Sequence, residues 1–120
     1  MKKSKSTNVV LLTLIEEMLS KSREFEARIW RDIAGRISKS SKLRAEINIG
    51  NISRFTNNND IIAVPGKVLG DGDINHKVTV AALNFSVKGK LKIKAAGGKC
   101  LSFKELMKEH PKGSNVRIMR

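Results

Sequence analysis

A short polar run in the second half of the chain holds most of the side chains that could bind a metal ion. Asp71, Asp73 and Asn75 have the spacing of the first three ligands of a helix-loop-helix calcium site. Such a site also needs a glycine where His76 stands and a bidentate glutamate where Ala82 stands. No metal site is therefore predicted. The two aspartates are expected to cap a turn, to accept hydrogen bonds from lysines, or to hold the water shell of a magnesium ion beside an anionic partner.

Catalysis by the same run would require His76 to act as a base that Asp71 or Asp73 orients. No serine, cysteine or set of metal ligands is spaced to complete such a site. A polar turn explains these residues equally well, so no catalytic residue, no cofactor and no enzymatic activity are predicted. The alternative is a freestanding nucleotide-binding enzyme or RNA-processing factor that uses the preceding glycines together with Asp73 and His76.

Directly before that run, three glycines and a lysine follow a short apolar segment. Pro65 lacks a backbone donor, so it is expected to end the strand formed by residues 61–64. The glycines after it permit a positive φ or a close backbone approach, and Lys67 places a cation among them. The order differs from that of a phosphate-binding P-loop, because Val68 follows the lysine where a serine or threonine is needed. The residues assigned to this structural loop are Pro65, Gly66, Gly70 and Gly72.

The charge balance is the dominant physical property of the chain. Its 120 residues suit one domain, 40% of them are apolar, and the formal net charge is +13 with a pI near 10.3. The excess of cations over acids is five in residues 1–60 and eight in residues 61–120. A body that is basic throughout repels itself unless a polyanion neutralises it, so a nucleic acid is the expected partner. A membrane surface is a poorer partner, because the predicted helices carry acids.

Cysteine content and hydropathy restrict the class of protein further. Cys100 is the only cysteine, which excludes an intramolecular disulfide and a thiolate metal cluster within one chain. Its apolar flank predicts a core residue rather than a nucleophile. No apolar run approaches the roughly 20 residues that span a bilayer. Glu16 and Glu17 interrupt a signal-like segment near the amino terminus, so a cytoplasmic, unprocessed protein without membrane contact is predicted.

The amino-terminal part of the sequence predicts a basic arm followed by two helices. Residues 1–6 are expected to form the flexible arm, and residues 7–120 a single globular domain that ends in a basic tail at residues 112–120. Apolar side chains recur with helical spacing from about residue 7 to 22 and again from about residue 24 to 37. Each helix is expected to bury one apolar stripe.

The second of these helices contains the single tryptophan and a ladder of charges. Trp30 lies within the apolar stripe, which favours core packing over a role in base stacking. Glu24, Arg28, Asp32 and Arg36 follow one another at intervals of four residues on the other side. Charges of opposite sign at this spacing pair on a helix surface, so these four are interpreted as structural.

After residue 45 the sequence alternates between short strands and helices, which predicts a mixed α/β fold. Residues 47–49 and 61–64 are apolar enough for short strands, with a helical turn at residues 50–55 between them. Residues 78–83 are apolar on both faces, which is typical of a strand inside a sheet. Val116 and Ile118 alternate with polar residues in the tail and are expected to dock on that sheet.

Residues 86–96 can be read in two ways. Their lysines alternate with apolar residues as in a strand, yet Ser86 can cap a helix and Gly97 can end one. A helix start is clearer further on, where Ser102 and Glu105 have the spacing of a capping box after a strand at residues 99–101. This order of strands and helices from residue 78 onward predicts a right-handed crossover and a pair of parallel strands.

Three segments of the sequence closely resemble a known ribosomal protein family. They are residues 64–80, which contain GKVLGDGDINHKVTV, the AAGG run at residues 95–98, and PKGSNVRI at residues 111–118. The family is the archaeal and eukaryotic large-subunit ribosomal protein called eighteen-e, which is related to the bacterial-type large-subunit protein fifteen. The resemblance covers nearly the whole chain.

The resemblance implies both a fold and a function. The implied fold is mixed α/β, with two amino-terminal helices before a small, partly parallel sheet with short βα units, in an irregular three-layer β/β/α order. It also favours a helix for residues 86–96. The implied function is that of a structural constituent of the large ribosomal subunit, in the cytoplasm, that binds ribosomal RNA, contacts neighbouring ribosomal proteins and catalyses nothing. A DNA-compacting protein is a weaker alternative.

The candidate RNA-binding residues are chosen for charge and for their position on loops and termini, since the resemblance does not indicate which residues touch RNA. The loop at residues 38–44 is either a solvated linker or a phosphate-binding loop. The full set of candidates is Lys39, Lys42, Arg44, Arg54, Lys67, His76, Lys77, Lys112, Arg117 and Arg120.

Overall fold

The computed structural model describes the backbone of residues 3–120 and the side chains of residues 9–120. Its helices are α1 (Lys3–Phe25), α2 (Arg28–Ile37), α3 (Ile49–Phe55), α4 (Val87–Ala95) and α5 (Phe103–Glu109). Its strands are β1 (Ala45–Asn48), β2 (Asp60–Leu69), β3 (Val78–Phe85), β4 (Lys99–Leu101) and β5 (Val116–Ile118). The flexible arm at residues 1–6 stays a prediction, because residues 1 and 2 lie outside the described part and α1 begins at Lys3.

The described strands form one parallel sheet in the order β1-β2-β3-β4, and β5 joins it at β2. β5 pairs with residues 61–63 and β1 with residues 66–69, so these two strands follow one another along the same edge of β2. We call this the β1/β5 edge. Parallel neighbours need crossover connections, and α3, α4 and α5 lie in three of them.

Helices cover both faces of the sheet. Strand side chains alternate between faces, so Ala63 faces a core formed by α1, α2 and α5, whereas Ile62 and Val64 face a second core formed by α3 and α4. This arrangement confirms the mixed α/β class, and the sheet is the middle of three layers with helices outside it. The buried helical side chains include Met18, Trp30, Ile33, Ile37, Phe103 and Leu106 in the first core and Ile49, Ile52 and Ile93 in the second.

The break between the first two helices differs from the expected position. The first helix continues to Phe25, and the second begins at Arg28, because Glu26 adopts a left-handed backbone with φ of 52°. Glu24 therefore belongs to α1, where its carboxylate lies 3.5 Å from Lys21 Nζ, and the predicted pairing with Arg28 is wrong. The pair between Asp32 and Arg36 is confirmed at 2.9 Å. Within the described residues, no helix is both long and apolar enough to cross a membrane.

The prediction that Pro65 ends a strand is wrong. β2 continues through Pro65 to Leu69, and the pairing with β3 shifts register between Val64 and Lys67. Such a bulge accommodates a residue without a backbone donor. Gly66 then lies opposite Ala45 of β1, and a Cβ built on Gly66 would lie 1.9 Å from the Ala45 carbonyl oxygen. The glycine is therefore required for β1 to approach the sheet, not for a turn.

The capping signals in the second half of the chain are confirmed. Ser86 Oγ accepts a hydrogen bond from Gly89 N at 3.0 Å, and residues 87–95 form the helix that the resemblance favours. Ser102 and Glu105 form the reciprocal capping box, with bonds of 3.1 Å to Ser102 Oγ and 2.8 Å to Glu105 Oε1. β3 and β4 are parallel, as predicted from the order of elements.

Candidate nucleic-acid interface

The glycine-rich connection between β2 and β3, residues 70–77, is a structural loop. Lys92 of α4 donates from Nζ to the Gly70 carbonyl at 2.8 Å and to the Gly72 carbonyl. Gly50 N of α3 donates to the Asp71 carbonyl at 2.9 Å, and Gly72 has a φ of 92° where its Cα faces Gly50. The loop is thus attached to two helices through its backbone. The sequence did not identify Lys92 as the anchor, because the alternating lysines of its segment all look alike.

The proposed catalytic pair within this loop is not brought together. Asp73 lies 3.8 Å from Lys92 Nζ and is otherwise exposed. His76 Nε2 lies 2.8 Å from Thr56 Oγ1 instead. The Thr56 hydroxyl donates its single proton to the Ile52 carbonyl at 2.6 Å, so His76 Nε2 must be the donor to Thr56. His76 therefore fixes the chain after α3, and Asp73 does not orient it.

The described side chains, residues 9–120, contain no group of three or more histidine, cysteine, aspartate or glutamate residues placed to hold a metal ion. Asp71 and Asp73 are exposed, and the calcium-like spacing of the sequence does not produce a ligand cluster. The loop carbonyls that such a site would use accept hydrogen bonds from Lys92 and Gly50.

Cys100 is half-buried on β4, where it packs against the second core. Burial raises the pKa of its thiol above the ordinary value of 9.0, and the positive charges of Lys90 and Lys94 offset that effect only in part. The thiolate is the reactive form of cysteine, so this environment suppresses its reactivity. The prediction of a packing role agrees with this position.

The Cys100 thiol is expected to make the fold less stable at high pH. The unfolded chain loses the thiol proton at a lower pH than the folded chain, so this stabilisation is complete below the unfolded pKa and is lost as the pH rises through the folded pKa. Thermal unfolding of the protein and of Cys100→Ser, which does not titrate, should therefore differ by a constant amount near neutral pH and by a changing amount above pH 9.0. A difference that stays constant across that range would contradict the expectation.

The β1/β5 edge collects many of the candidate cations. Arg44 directly precedes β1, Arg117 lies in β5, and Arg120 follows β5 at the point where Met119 N donates to the Ala63 carbonyl. Lys39 and Lys42 are exposed in the segment that leads into β1, and Lys112 is exposed in the one that leads into β5. Lys67 is exposed on β2, opposite Glu46 of β1. Arg54 is exposed in the last turn of α3, and Lys77 at the end of the β2–β3 loop.

Two of these arginines also hold the fold together. Arg117 Nη2 donates to the Phe55 carbonyl at 2.6 Å and lies 3.4 Å from the Asp60 carboxylate. Arg44 Nε donates to the Ile37 carbonyl at 3.1 Å, which satisfies the end of α2. Both side chains are therefore held in fixed positions on the β1/β5 edge.

An open cleft of about 580 Å³ lies between α2 and β5. Trp30 Nε1 donates to the Pro111 carbonyl at 2.7 Å, and Gly113 lies against Ile29, so the segment before β5 is held on α2. We call this space the arginine cleft. Its lining residues are Arg28, Ile29, Arg31, Asp32, Val116, Arg117 and Ile118.

Three arginines and one acid line the arginine cleft, and the acid is already paired. Asp32 accepts a hydrogen bond from Arg36 at 2.9 Å, so it does not neutralise the cleft arginines. Sequence reasoning missed Arg28 and Arg31, because their spacing from acids on the same helix indicated structural ion pairs. The signal that could have found them is their position next to a carboxyl-terminal segment that carries Arg117.

Comparison with known proteins gives a consistent result over the whole chain. The family model described as ribosomal protein 60S L18 and 50S L18e matches residues 1–120. The chain is 47% identical to the large ribosomal subunit protein eL18 of Archaeoglobus fulgidus, over 96% of this chain and 98% of that protein. It is 48% identical to the eL18 of Methanosphaerula palustris, over 97% and 96% of the two chains. With the eL18 of Methanococcus maripaludis the identity is 44%, over 99% of each.

Proposed function

The chain belongs to the ribosomal protein family of 60S L18 and 50S L18e, and we propose that it binds ribosomal RNA through the arginine cleft and the β1/β5 edge. The protein is a structural constituent of the large ribosomal subunit, and it acts in the cytoplasm, where it supports translation. Neighbouring proteins of that subunit are further partners under this proposal. Because the family is one of structural ribosomal proteins, we assign no reaction to the chain.

The arginine cleft is the observation that carries this assignment. Guanidinium groups are planar, remain charged at all physiological pH values and match the geometry of phosphate oxygens. Arg28, Arg31 and Arg117 surround one space, and their neighbour Asp32 is bound to Arg36. A concave surface with several unneutralised arginines suits the phosphates of a folded RNA segment, whose backbone approaches from more than one direction.

The flat shape of the molecule and the open sheet edge extend this surface. The molecule measures 37 × 35 × 19 Å, so one broad side can lie along RNA while most residues stay near it. Unpaired strand edges invite pairing with other strands unless charged side chains cover them. Arg44, Arg117 and Arg120 stand along the β1/β5 edge, where cations both prevent such pairing and attract phosphates.

A variant that lacks three cations at the cleft tests the location of the interface. Replacing Arg28, Arg31 and Lys112 by alanine is expected to weaken binding to deproteinised large-subunit ribosomal RNA about 10- to 100-fold, because each lost phosphate contact also reduces the slope of log affinity against log salt by about one. Filter binding at several salt concentrations measures both quantities. These three side chains are exposed, so the melting temperature should change little.

The matched control removes three cations from another part of the surface. Lys88, Lys90 and Lys94 lie on α4, which packs on the opposite face of the sheet from α2. Their replacement by alanine should leave more affinity than the cleft variant does. If the α4 variant loses as much affinity as the cleft variant or more, the interface lies elsewhere or is nonspecific, and the assignment to the cleft is wrong.

A further inference from the structure

Phe55 differs from the other phenylalanines of the chain in its exposure. Its side chain stands at the end of α3 and is 59% exposed, whereas Phe103 is buried, and Phe25 and Phe85 are half-buried. Exposed aromatic rings are the surfaces on which proteins stack unpaired nucleic-acid bases. The sequence contains 4% aromatic residues, so stacking was not expected from composition.

The backbone that carries Phe55 is held by contacts from three separate segments. Arg117 of β5 donates to the Phe55 carbonyl at 2.6 Å. The next residue, Thr56, is buried and bonds to both Ile52 and His76. A ring on such a fixed backbone loses little conformational freedom when a flat partner binds to it.

The charges around the ring favour a nucleic acid over a protein partner. Arg54 is exposed beside Phe55, and both contacts of Arg117 use Nη2, which leaves Nε and Nη1 to bind a phosphate. A protein-binding site is typically a contiguous apolar patch. The other exposed large apolar side chains of the described residues lie on α1, on α4 and at Leu43, none of them on α3 or β5.

We propose that Phe55 stacks on one unpaired base of the ribosomal RNA, while Arg54 and Arg117 bind the phosphates on either side of it. The inference rests on the proposed function and adds a specific site to it. A bulged or looped-out nucleotide fits this arrangement, because only an unpaired base exposes a whole face to a side chain. Phe55 thus supplies a base contact next to the phosphate contacts of the cleft.

Substitutions of Phe55 separate stacking from charge. Phe55→Ala is expected to reduce affinity for deproteinised large-subunit ribosomal RNA about 5- to 100-fold, which corresponds to the loss of one stacked base. The slope of log affinity against log salt should stay unchanged, because no phosphate contact is lost. Phe55→Trp should retain wild-type affinity, and Phe55→Leu should behave like alanine. Leu91→Ala on α4, where the side chain is also exposed, is the matched control and should bind like the wild type.

Three results would overturn the inference. Wild-type affinity of Phe55→Ala, with a normal salt slope, excludes stacking but leaves the proposed RNA-binding function intact. Wild-type affinity of Phe55→Leu indicates an apolar contact of the kind made with a protein. If the wild-type protein itself shows no salt-dependent affinity for this RNA, the proposed function fails first and the stacking site fails with it.

Discussion

Replacement of Gly66 by alanine is expected to destabilise the protein by about 3 kcal/mol or more, at the upper end of the cost of overpacking. A Cβ at this position would lie 1.9 Å from the Ala45 carbonyl oxygen and 2.9 Å from Ala45 N. Both atoms belong to the backbone of β1, so no side-chain rotation can relieve the overlap. β1 must therefore move away from β2, which also displaces Arg44 and the segment that carries Lys39 and Lys42. Chemical denaturation monitored by circular dichroism measures the loss.

Gly35 provides the matched control for this substitution. It is an exposed residue of α2, and a Cβ added to it would meet no atom within 4 Å outside the backbone of its own helix. Alanine favours a helix over glycine by roughly 0.5–1 kcal/mol, so Gly35→Ala should leave stability unchanged or raise it. If Gly66→Ala unfolds at the same denaturant concentration as Gly35→Ala, the close contact between β1 and β2 at Gly66 is wrong.

Replacement of Trp30 by alanine is expected to cost about 3–5 kcal/mol, as for other fully buried aromatic residues. Trp30 is 0% exposed in the core of α1, α2 and α5. It also holds the segment before β5, because its Nε1 donates to the Pro111 carbonyl at 2.7 Å. The variant should therefore lose stability and, because β5 carries Arg117, RNA affinity as well. Denaturation and filter binding under conditions where the variant is still folded measure the two effects.

A second variant distinguishes the two roles of Trp30. Trp30→Phe retains much of the packing but leaves the Pro111 carbonyl without its donor, at a cost of up to about 1–3 kcal/mol. Val87→Ala, on a residue that is 78% exposed, should change stability by less than about 0.5 kcal/mol. A Trp30→Ala protein as stable as Val87→Ala would contradict the assignment of Trp30 to the core.

The substitutions of Gly66 and Trp30 act on opposite ends of the same edge. Gly66 lets β1 reach β2, and Trp30 keeps the chain before β5 on α2. The candidate RNA surface thus depends on packing contacts that carry no charge. Core variants of this protein are expected to reduce RNA binding through the position of the β1/β5 edge as well as through the fraction of folded protein.

Local signals in the sequence determined the features whose partners are close along the chain. The capping box joins Ser102 to Glu105, and the cap of α4 joins Ser86 to Gly89, so both could be identified from spacing alone. The net charge of +13 determined the class of partner in the same way, because it depends on composition and not on conformation. The long GKVLGDGDINHKVTV segment indicated the family, which the comparisons confirm.

Only the tertiary structure decided which residues meet across long separations in the chain. Arg117 contacts the carbonyl of Phe55, 62 residues earlier, and Trp30 contacts that of Pro111, 81 residues later. Pro65 remains in a strand because the pairing with β3 shifts register there. These contacts arise when strands and helices pack, and packing depends on the shapes of surfaces that the local sequence does not encode. For that reason the arginine cleft and the exposed ring of Phe55 became apparent only in the folded molecule.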